Sequence, residues 1–537
     1  MSNIFPASMD AIPAPYQHIS YRTQTEYLIN GEIRSWEGEF QEVLSPVCLP
    51  DATGNLQRVP LGKSPVLTAK EALEALDAAT GAYAGGRGEW AMMHVSDRIA
   101  CMDKFLKQMQ TKRSEVVHLL MWEIGKSLKD SEKEFDRTVA YMYDTIEALK
   151  NMDRNASNFE NAQGILAQVR RVPLGVALCM GPYNYPLNET FSTMLPALLM
   201  GNTIVFKPAK YGILLVRPLL EAFRDCFPKG VVNVIYGSGR TLCGAIMETG
   251  QLQIFAFIGT NKGANDLKKM HPKPHALRSV LGLDAKNPAI ILADADIAAT
   301  VKECVLGSLS FNGQRCTALK ILFVHDSIAE AFNAQFTEAV GKLKAGMPWD
   351  EGVGLTPLPE TGKCDYLQEL VADALAHGAT VINQRPEEAS ETYFPAAVLY
   401  PVNENMRIYR EEQFGPIVPI VPFTETQEVI DYIVHSSFGQ QASVFGKNPE
   451  VIGGIIDELC NQVSRININA QCQRGPDNLP FNGRKDSAEG TLSVYDALRV
   501  FSIRTMIATK YEDDNKTIVR EILKNGYSGF LNSDYIL

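Results

Sequence analysis

Apolar positions recur at helical spacing through much of the first third of the chain. Over 66–84 and 90–125, Ala, Leu, Met and Val stand three and four apart between charged residues, and similar text runs over 132–153. Spacing of this kind puts the apolar side chains on one face of a helix. Ahead of these helices, Tyr27-Leu28-Ile29-Asn30-Gly31 reads as a short strand closed by an Asn-Gly turn, a strong hairpin signal. Residues 1–25 carry Pro and Ser with little charge and read as an extended arm. From 161 the period changes. ILAQVRRVPLGVALCMGP (165–182) alternates and then runs apolar, predicting a hairpin strand that leads into a buried strand. Helices are predicted over 189–200, 214–226 and 240–249 and from Gly263. They alternate with strands over 203–207, 231–236 and 254–258. Continuously apolar strands between helices mark a mostly parallel sheet covered on both faces.

A second alternating set follows. Strands are predicted over 289–293, 319–324, 379–381, 396–399, 418–422 and 443–445, with helices over 297–310 and 328–345 and from Thr426. The chain therefore reads as two α/β units with a boundary near 280–288. Its last stretch predicts a strand at 506–509, an amphipathic helix over NKTIVREILKN (515–525) and an aromatic, polar tail. That helix is expected either to pack on a neighbouring subunit or partner or to lie in a frayed tail.

Composition narrows the class. A chain of 537 residues exceeds the size at which one core keeps growing, so about two to four compact units are expected. Net charge is −11 and no long Lys/Arg run is present, which argues against a nucleic-acid partner. No apolar segment reaches the roughly 18–20 residues of a membrane span. The first twenty residues lack a basic start and a continuous apolar run, so no signal peptide is expected. Ten cysteines are scattered at 48, 101, 179, 226, 243, 304, 316, 364, 460 and 472, with no Cys-x-x-Cys pair. That pattern fits free thiols in a reducing, cytoplasmic compartment, without a zinc or other metal site.

Among these thiols Cys316 is the best nucleophile candidate, because Arg315 stands beside it in FNGQRCTALK (311–320). A thiolate is a soft nucleophile suited to carbonyl carbon, and a neighbouring cation favours its formation. In GPYNYPLNE (181–189), prolines fence a rigid turn whose Asn184 can offer an amide to an oxyanion. Lys207 ends a predicted strand in VFKPAK (205–210), where its ammonium can reach a ribose or a phosphate. Gly259 and Gly263 in AFIGTNKGAN (256–265) stand between a strand and a helix start, the context in which backbone amides meet a phosphate. On local text alone, each of these has an ordinary structural reading as well: a buried thiol, a turn asparagine, an edge lysine, a tight turn.

Together these motifs resemble the aldehyde dehydrogenase superfamily from about 26 to 508, and the Gly-Gln-Arg-Cys-Thr form is similar to its non-phosphorylating glyceraldehyde-3-phosphate dehydrogenase branch. The resemblance implies an α/β architecture: an NAD(P)-binding Rossmann-like domain (26–154 and 176–284) and a catalytic α/β domain (285–494). A β oligomerisation element (155–175 and 495–510) joins subunits into a homodimer or homotetramer, and extensions lie at 1–25 and 511–537. It also implies that Cys316 forms a thioester while Asn184 and the Cys316 amide hold the oxyanion. Arg315, Arg474 (in QCQRGPDNLPFNGRKDS, 471–487) and Tyr185 would bind a phosphorylated or acidic small aldehyde, with a third arginine from Arg137 or Arg154. On the cofactor side it implies Lys207, Gly259, Gly263 and Lys262. In REEQFGPIVP (410–419) it adds Glu412 on the nicotinamide ribose and Phe414 beside the ring. Where the family commonly carries a ribose-binding glutamate, this chain has Lys210. Exchanging an anion for a cation there favours NADP, with NAD as the alternative.

One position departs from the pattern. The family's Glu-Leu-Gly-Gly-Lys corresponds to Gly282-Leu283-Asp284-Ala285-Lys286, so Gly282 stands where the water-activating glutamate is expected. Such a base contributes roughly 10²–10⁴-fold. Several outcomes are open for the thioester. Asp284 could turn inward, Glu411 or Glu412 could act through water, or coenzyme A could accept the acyl group. Otherwise release is slow or lost, leaving a weak enzyme or a protein with a structural or binding role.

Overall fold

The computed structural model describes residues 4–17, 21–385 and 389–535. Its first large sheet has five parallel strands in the spatial order Arg278–Gly282, Ile254–Ile258, Val176–Met180, Thr203–Lys207 and Val232–Val234. The middle three are buried along their whole length, as their unbroken apolar text requires. The hairpin Glu26–Ile29/Glu32–Ser35 extends one edge antiparallel, and Ala488–Glu489 closes the other. From Val176–Met180 the chain winds outward through Thr203–Lys207 and Val232–Val234, then crosses back to Ile254–Ile258 on the opposite side. That reversal opens a crevice at the carboxyl ends of Val176–Met180 and Ile254–Ile258, where open α/β sheets bind ligands.

The second large sheet orders Thr380–Val381, Ala397–Tyr400, Ile417–Phe423, Leu319–His325, Asn287–Ile291, Gln441–Phe445 and Arg465–Ile468. All its pairings are parallel except the first. Cys316 lies in the loop that enters its central strand Leu319–His325.

Several elements depart from expectation. The run over 90–125 is two main helices, Val95–Gln110 and Arg113–Ile124, preceded by the single turn Glu89–Met92. Thr111 turns its hydroxyl back onto the Gln108 carbonyl at 2.6 Å and closes the first of the two. The helix expected from 66 starts at Ala69, because Thr68 and Glu71 form a capping box. Phe40–Pro50 and Leu56–Pro65 form a long antiparallel pair that the hydrophobic pattern did not announce, since its register shifts near Leu44. The arm expected over 1–25 includes the turns Met9–Ala11 and Ala14–Gln17 and the strand Arg22–Thr23. Its residues 1–3 and 18–20 lie outside the described residues.

Ile165–Pro173 pairs antiparallel with Ser502–Lys510 along its whole length, and Glu160–Ala162 adds a third strand. Past the helix Asp513–Lys524 the tail docks on its own chain. Ser533 donates to Asp153 at 2.7 Å, and Arg154 donates to the Tyr535 carbonyl at 2.9 Å. Arg170 contacts both Asp153 and the Asn532 carbonyl. The described end of the chain thus ties the helix Leu128–Asn155 to the strand Ile165–Pro173. Among the described residues no helix is long and apolar enough to cross a membrane.

Candidate active site

The loop carrying Cys316 is held open by its backbone. Phe311, Asn312 and Gly313 all have positive φ, and a Cβ on Gly313 would lie 2.8 Å from two backbone carbonyl oxygens. Only glycine fits there. Asn312 is pinned by Thr356, accepting from its N–H at 2.9 Å and donating to its hydroxyl at 3.1 Å. At the far end of the loop, the Asn287 amide donates to the Cys316 carbonyl at 2.7 Å and the Ala318 carbonyl at 3.0 Å. The Cys316 thiol is half-buried and lines a cavity of about 1680 Å³. Cys179 and Cys472 are fully buried, and burial pushes both thiols up to about 12, out of nucleophilic range.

Asn184 reaches the same loop, its amide donating to the Gln314 carbonyl at 2.7 Å. The second amide hydrogen stays available to an oxyanion. Two residues that sequence reasoning missed position it. Buried Lys126 donates to the Asn184 carbonyl at 2.7 Å and pairs with Glu134. Glu134 also accepts from the N–H groups of Leu187 and Asn188 at 3.0 and 3.1 Å, where the helix Asn188–Leu199 begins. Burial pulls the Lys126 ammonium below its ordinary range, against the opposing pull of Glu134. The ammonium lies 3.7 Å from the Tyr185 ring centroid and 4.5 Å from that of Phe311.

Gly282 lines the cavity with no side chain to offer; Asp284 and Glu412 line it too, and each proposed substitute also has another partner. Asp284 accepts from the Asn261 N–H at 2.9 Å. Glu411 is held by Arg407 through two hydrogen bonds, at 2.8 and 3.0 Å. Glu412 pairs with buried Lys320 and accepts from the Ala285 N–H at 3.2 Å.

In the crevice, Lys207, Lys210, Gly259, Glu412 and Phe414 all line the cavity. Lys207 is buried at the end of its strand and forms no ion pair among the described residues. Gly263 and Lys262 are absent from the lining, and the Gly263 N–H is capped by Thr260 at 3.2 Å. Self-capping leaves fewer helix amides for a phosphate than the sequence suggested. Lys363, also missed, lines the cavity 6.0 Å from the Phe414 ring centroid and 3.6 Å from Glu360.

Tyr185, Arg137, Arg315 and Arg474 also line the cavity. Of the two candidates for a third arginine, Arg137 is therefore the one at the cavity, while Arg154 serves the tail. Arg137 grips Asp477 in a two-pronged bond at 2.9 and 2.7 Å. Arg474 pairs with buried Glu189 and lies 3.4 Å from Asp477. Arg315 instead donates to neutral oxygens, 2.8 Å from the Gly307 carbonyl and 3.3 Å from the Gln471 side chain. Sequence reasoning missed Glu189 and Asp477, although both stand in the quoted motifs. For Glu189, a carboxylate entering an otherwise apolar helix was the available signal; Asp477 stands in a loop, where none was present.

A cysteine-bearing loop between two α/β sheets, with an asparagine amide and a strand-end crevice at the same cavity, fits the aldehyde dehydrogenase arrangement. The model of the aldehyde dehydrogenase family matches residues 52–507, and the chain belongs to that family. The NADP-dependent glyceraldehyde-3-phosphate dehydrogenase of Streptococcus equinus is 31% identical over 496 residues, 91% of this chain and 98% of its own. That of Pisum sativum is 28% identical, covering 89% of this chain and 93% of its own. The Bacillus halodurans enzyme of that name, solved with NADP, superposes with a TM-score of 0.82 at 30% identity. The match covers 91% of this chain and all of the other.

Proposed function

We propose that the protein oxidises a small aldehyde carrying an acidic group, with NADP as hydride acceptor, through a thioester on Cys316. The observation that carries this reading is the Asn184 amide 2.7 Å from the Gln314 carbonyl, two residues before the half-buried Cys316 thiol. The relatives named NADP-dependent glyceraldehyde-3-phosphate dehydrogenase support it. The crevice suits the cofactor chemically. Lys207 is an unpaired buried cation facing the cavity, and Lys210 lies 5.3 Å from the Tyr211 ring centroid with no carboxylate partner among the described residues. Two uncompensated ammonium groups favour a 2′-phosphate.

Cys316 attacks the aldehyde carbon, and the developing oxyanion takes the free Asn184 amide hydrogen and the Cys316 N–H. Bound NADP supplies the hydride acceptor that leaves an acyl group on sulfur. Water then adds, releasing the acid and restoring the thiol. Gly282 contributes no base to that step, Glu411 and Glu412 are held in ion pairs, and Asp284 accepts from the Asn261 N–H. Acylation is therefore expected to outrun hydrolysis. Mixing the protein with NADP and either glyceraldehyde 3-phosphate or succinate semialdehyde is expected to give a stoichiometric burst of NADPH and then slow turnover. Cys316→Ala is expected to abolish the burst. Absence of a burst with both aldehydes overturns the proposal, and a fast second phase only on adding coenzyme A identifies the acyl acceptor.

The paired strands Ile165–Pro173 and Ser502–Lys510 support a homodimer or homotetramer. Ser502–Lys510 is an edge strand, exposed over most of its length, and Ile503, Met506 and Ile507 project from it.

A further inference from the structure

The three arginines that line the cavity, Arg137, Arg315 and Arg474, are unequally paired. Two carboxylates already occupy two of the three guanidinium groups. Arg137 spends both prongs of its fork on Asp477, at 2.9 and 2.7 Å. Arg474 pairs with Glu189, donates to the Leu492 carbonyl at 3.1 Å and stacks 4.7 Å from the Phe481 ring centroid. Glu189 is itself buried on the helix Asn188–Leu199, five positions after Asn184, and lines the same cavity. Arg315 is the exception, because all its hydrogen bonds go to neutral oxygens. Of the three guanidinium groups, Arg315 is therefore the one without a carboxylate partner among the described residues.

A phosphate monoester carries about −1.5 to −2 charges near neutrality, with a second pKa near 6. Placed against one unpaired guanidinium, it leaves negative charge without a partner. A carboxylate is matched in charge, and its planar oxygen pair suits a guanidinium fork. Resting on the aldehyde-oxidation reading above, we propose that the physiological substrate is an aldehyde bearing one carboxylate, an ω-oxo acid, in preference to a phosphorylated aldehyde. Glu189 sets that preference by neutralising Arg474.

Binding can be read without turnover, by protection of Cys316 from alkylation by iodoacetamide in the full-length protein. The unreactive probes are 4-hydroxybutyrate for the carboxylate and glycerol 3-phosphate for the phosphate. The wild type is expected to be half-protected at about tenfold lower 4-hydroxybutyrate than glycerol 3-phosphate at pH 8. Lowering the pH to 5.5 protonates the phosphate to a monoanion and is expected to narrow that gap. Glu189→Leu, which frees Arg474, is expected to shift the ratio toward glycerol 3-phosphate by about tenfold, with Glu189→Asp restoring it. If Glu189→Leu does not fold, Glu189→Gln makes the same test while preserving side-chain size. Equal protection by the two probes in the wild type, stronger protection by glycerol 3-phosphate, or no protection by either overturns the inference. If the protection pattern holds but neither aldehyde yields NADPH, the aldehyde-oxidation reading falls and the charge preference stands.

Discussion

In the proposed mechanism Gly282 separates acylation from hydrolysis within one cavity. A Cβ built on it would lie 3.4 Å from both Ile258 γ-carbons and 3.8 Å from a Leu492 methyl, ordinary contacts that leave space for a longer side chain. Gly282→Glu is therefore expected to fold and to raise steady-state turnover by about 10²-fold without changing the burst amplitude. Stopped-flow NADPH absorbance separates the two phases, and an unchanged slow phase rejects the missing base as the cause. Cofactor choice belongs to the same scale. Lys210→Glu replaces a cation with a ribose-binding anion, so the preference for NADP over NAD, measured as the ratio of kcat/KM values, is expected to fall by at least about tenfold.

The elements that place these residues carry buried charge. Lys126 joins the loop before the helix Leu128–Asn155 to the Asn184 turn, and Glu134 caps the helix Asn188–Leu199. Removing one member of a buried pair leaves the other charge uncompensated. Lys126→Met is accordingly expected to cost about 3–5 kcal/mol in chemical denaturation and to weaken the burst with it. Glu123, at the end of Arg113–Ile124, accepts from the Leu214 and Leu215 N–H groups at 3.1 and 3.2 Å. Burial outweighs those bonds and pushes its carboxyl up to about 8. Between its unfolded value near 4.5 and 8 the folded chain holds a proton that the unfolded chain has released. Its contribution to stability is therefore complete below about 4.5 and is lost as pH rises toward 8, at up to about 1.4 kcal/mol per pH unit. Glu123→Gln is expected to flatten that slope, which denaturation midpoints across pH 5 to 8 measure.

The whole molecule is bound together by its tail and by an unfinished sheet. Arg170, Asp153 and the backbone of 532–534 join the last described residues to the sheet of Ile165–Pro173 and Ser502–Lys510. On one face of that sheet Met506, 60% exposed, lies opposite Val169, 40% exposed. A charge there opposes the subunit pairing proposed above, so Met506→Glu is expected to lower the oligomeric state measured by light scattering while leaving the monomer folded. An unchanged mass places the subunit contact elsewhere.

What the sequence by itself determined lies in contiguous text. Unbroken apolar runs announced the parallel strands, because burial on both faces needs nothing from the rest of the chain to be recognised. FNGQRCTALK and GPYNYPLNE named Cys316 and Asn184, and the structure brings both to one cavity. The separation into two helices at Thr111 and the bulged pair Phe40–Pro50/Leu56–Pro65 escaped, since a single hydroxyl bond or a register shift leaves no period behind. Tertiary structure alone decided which charges remain free. Arg474 meets Glu189 across 285 positions of chain, and Asp284 turns to the amide of Asn261, 23 positions earlier. A motif records which ionisable groups are present, but the field at the site is their sum after pairing, and pairing depends on distances that only the folded chain sets.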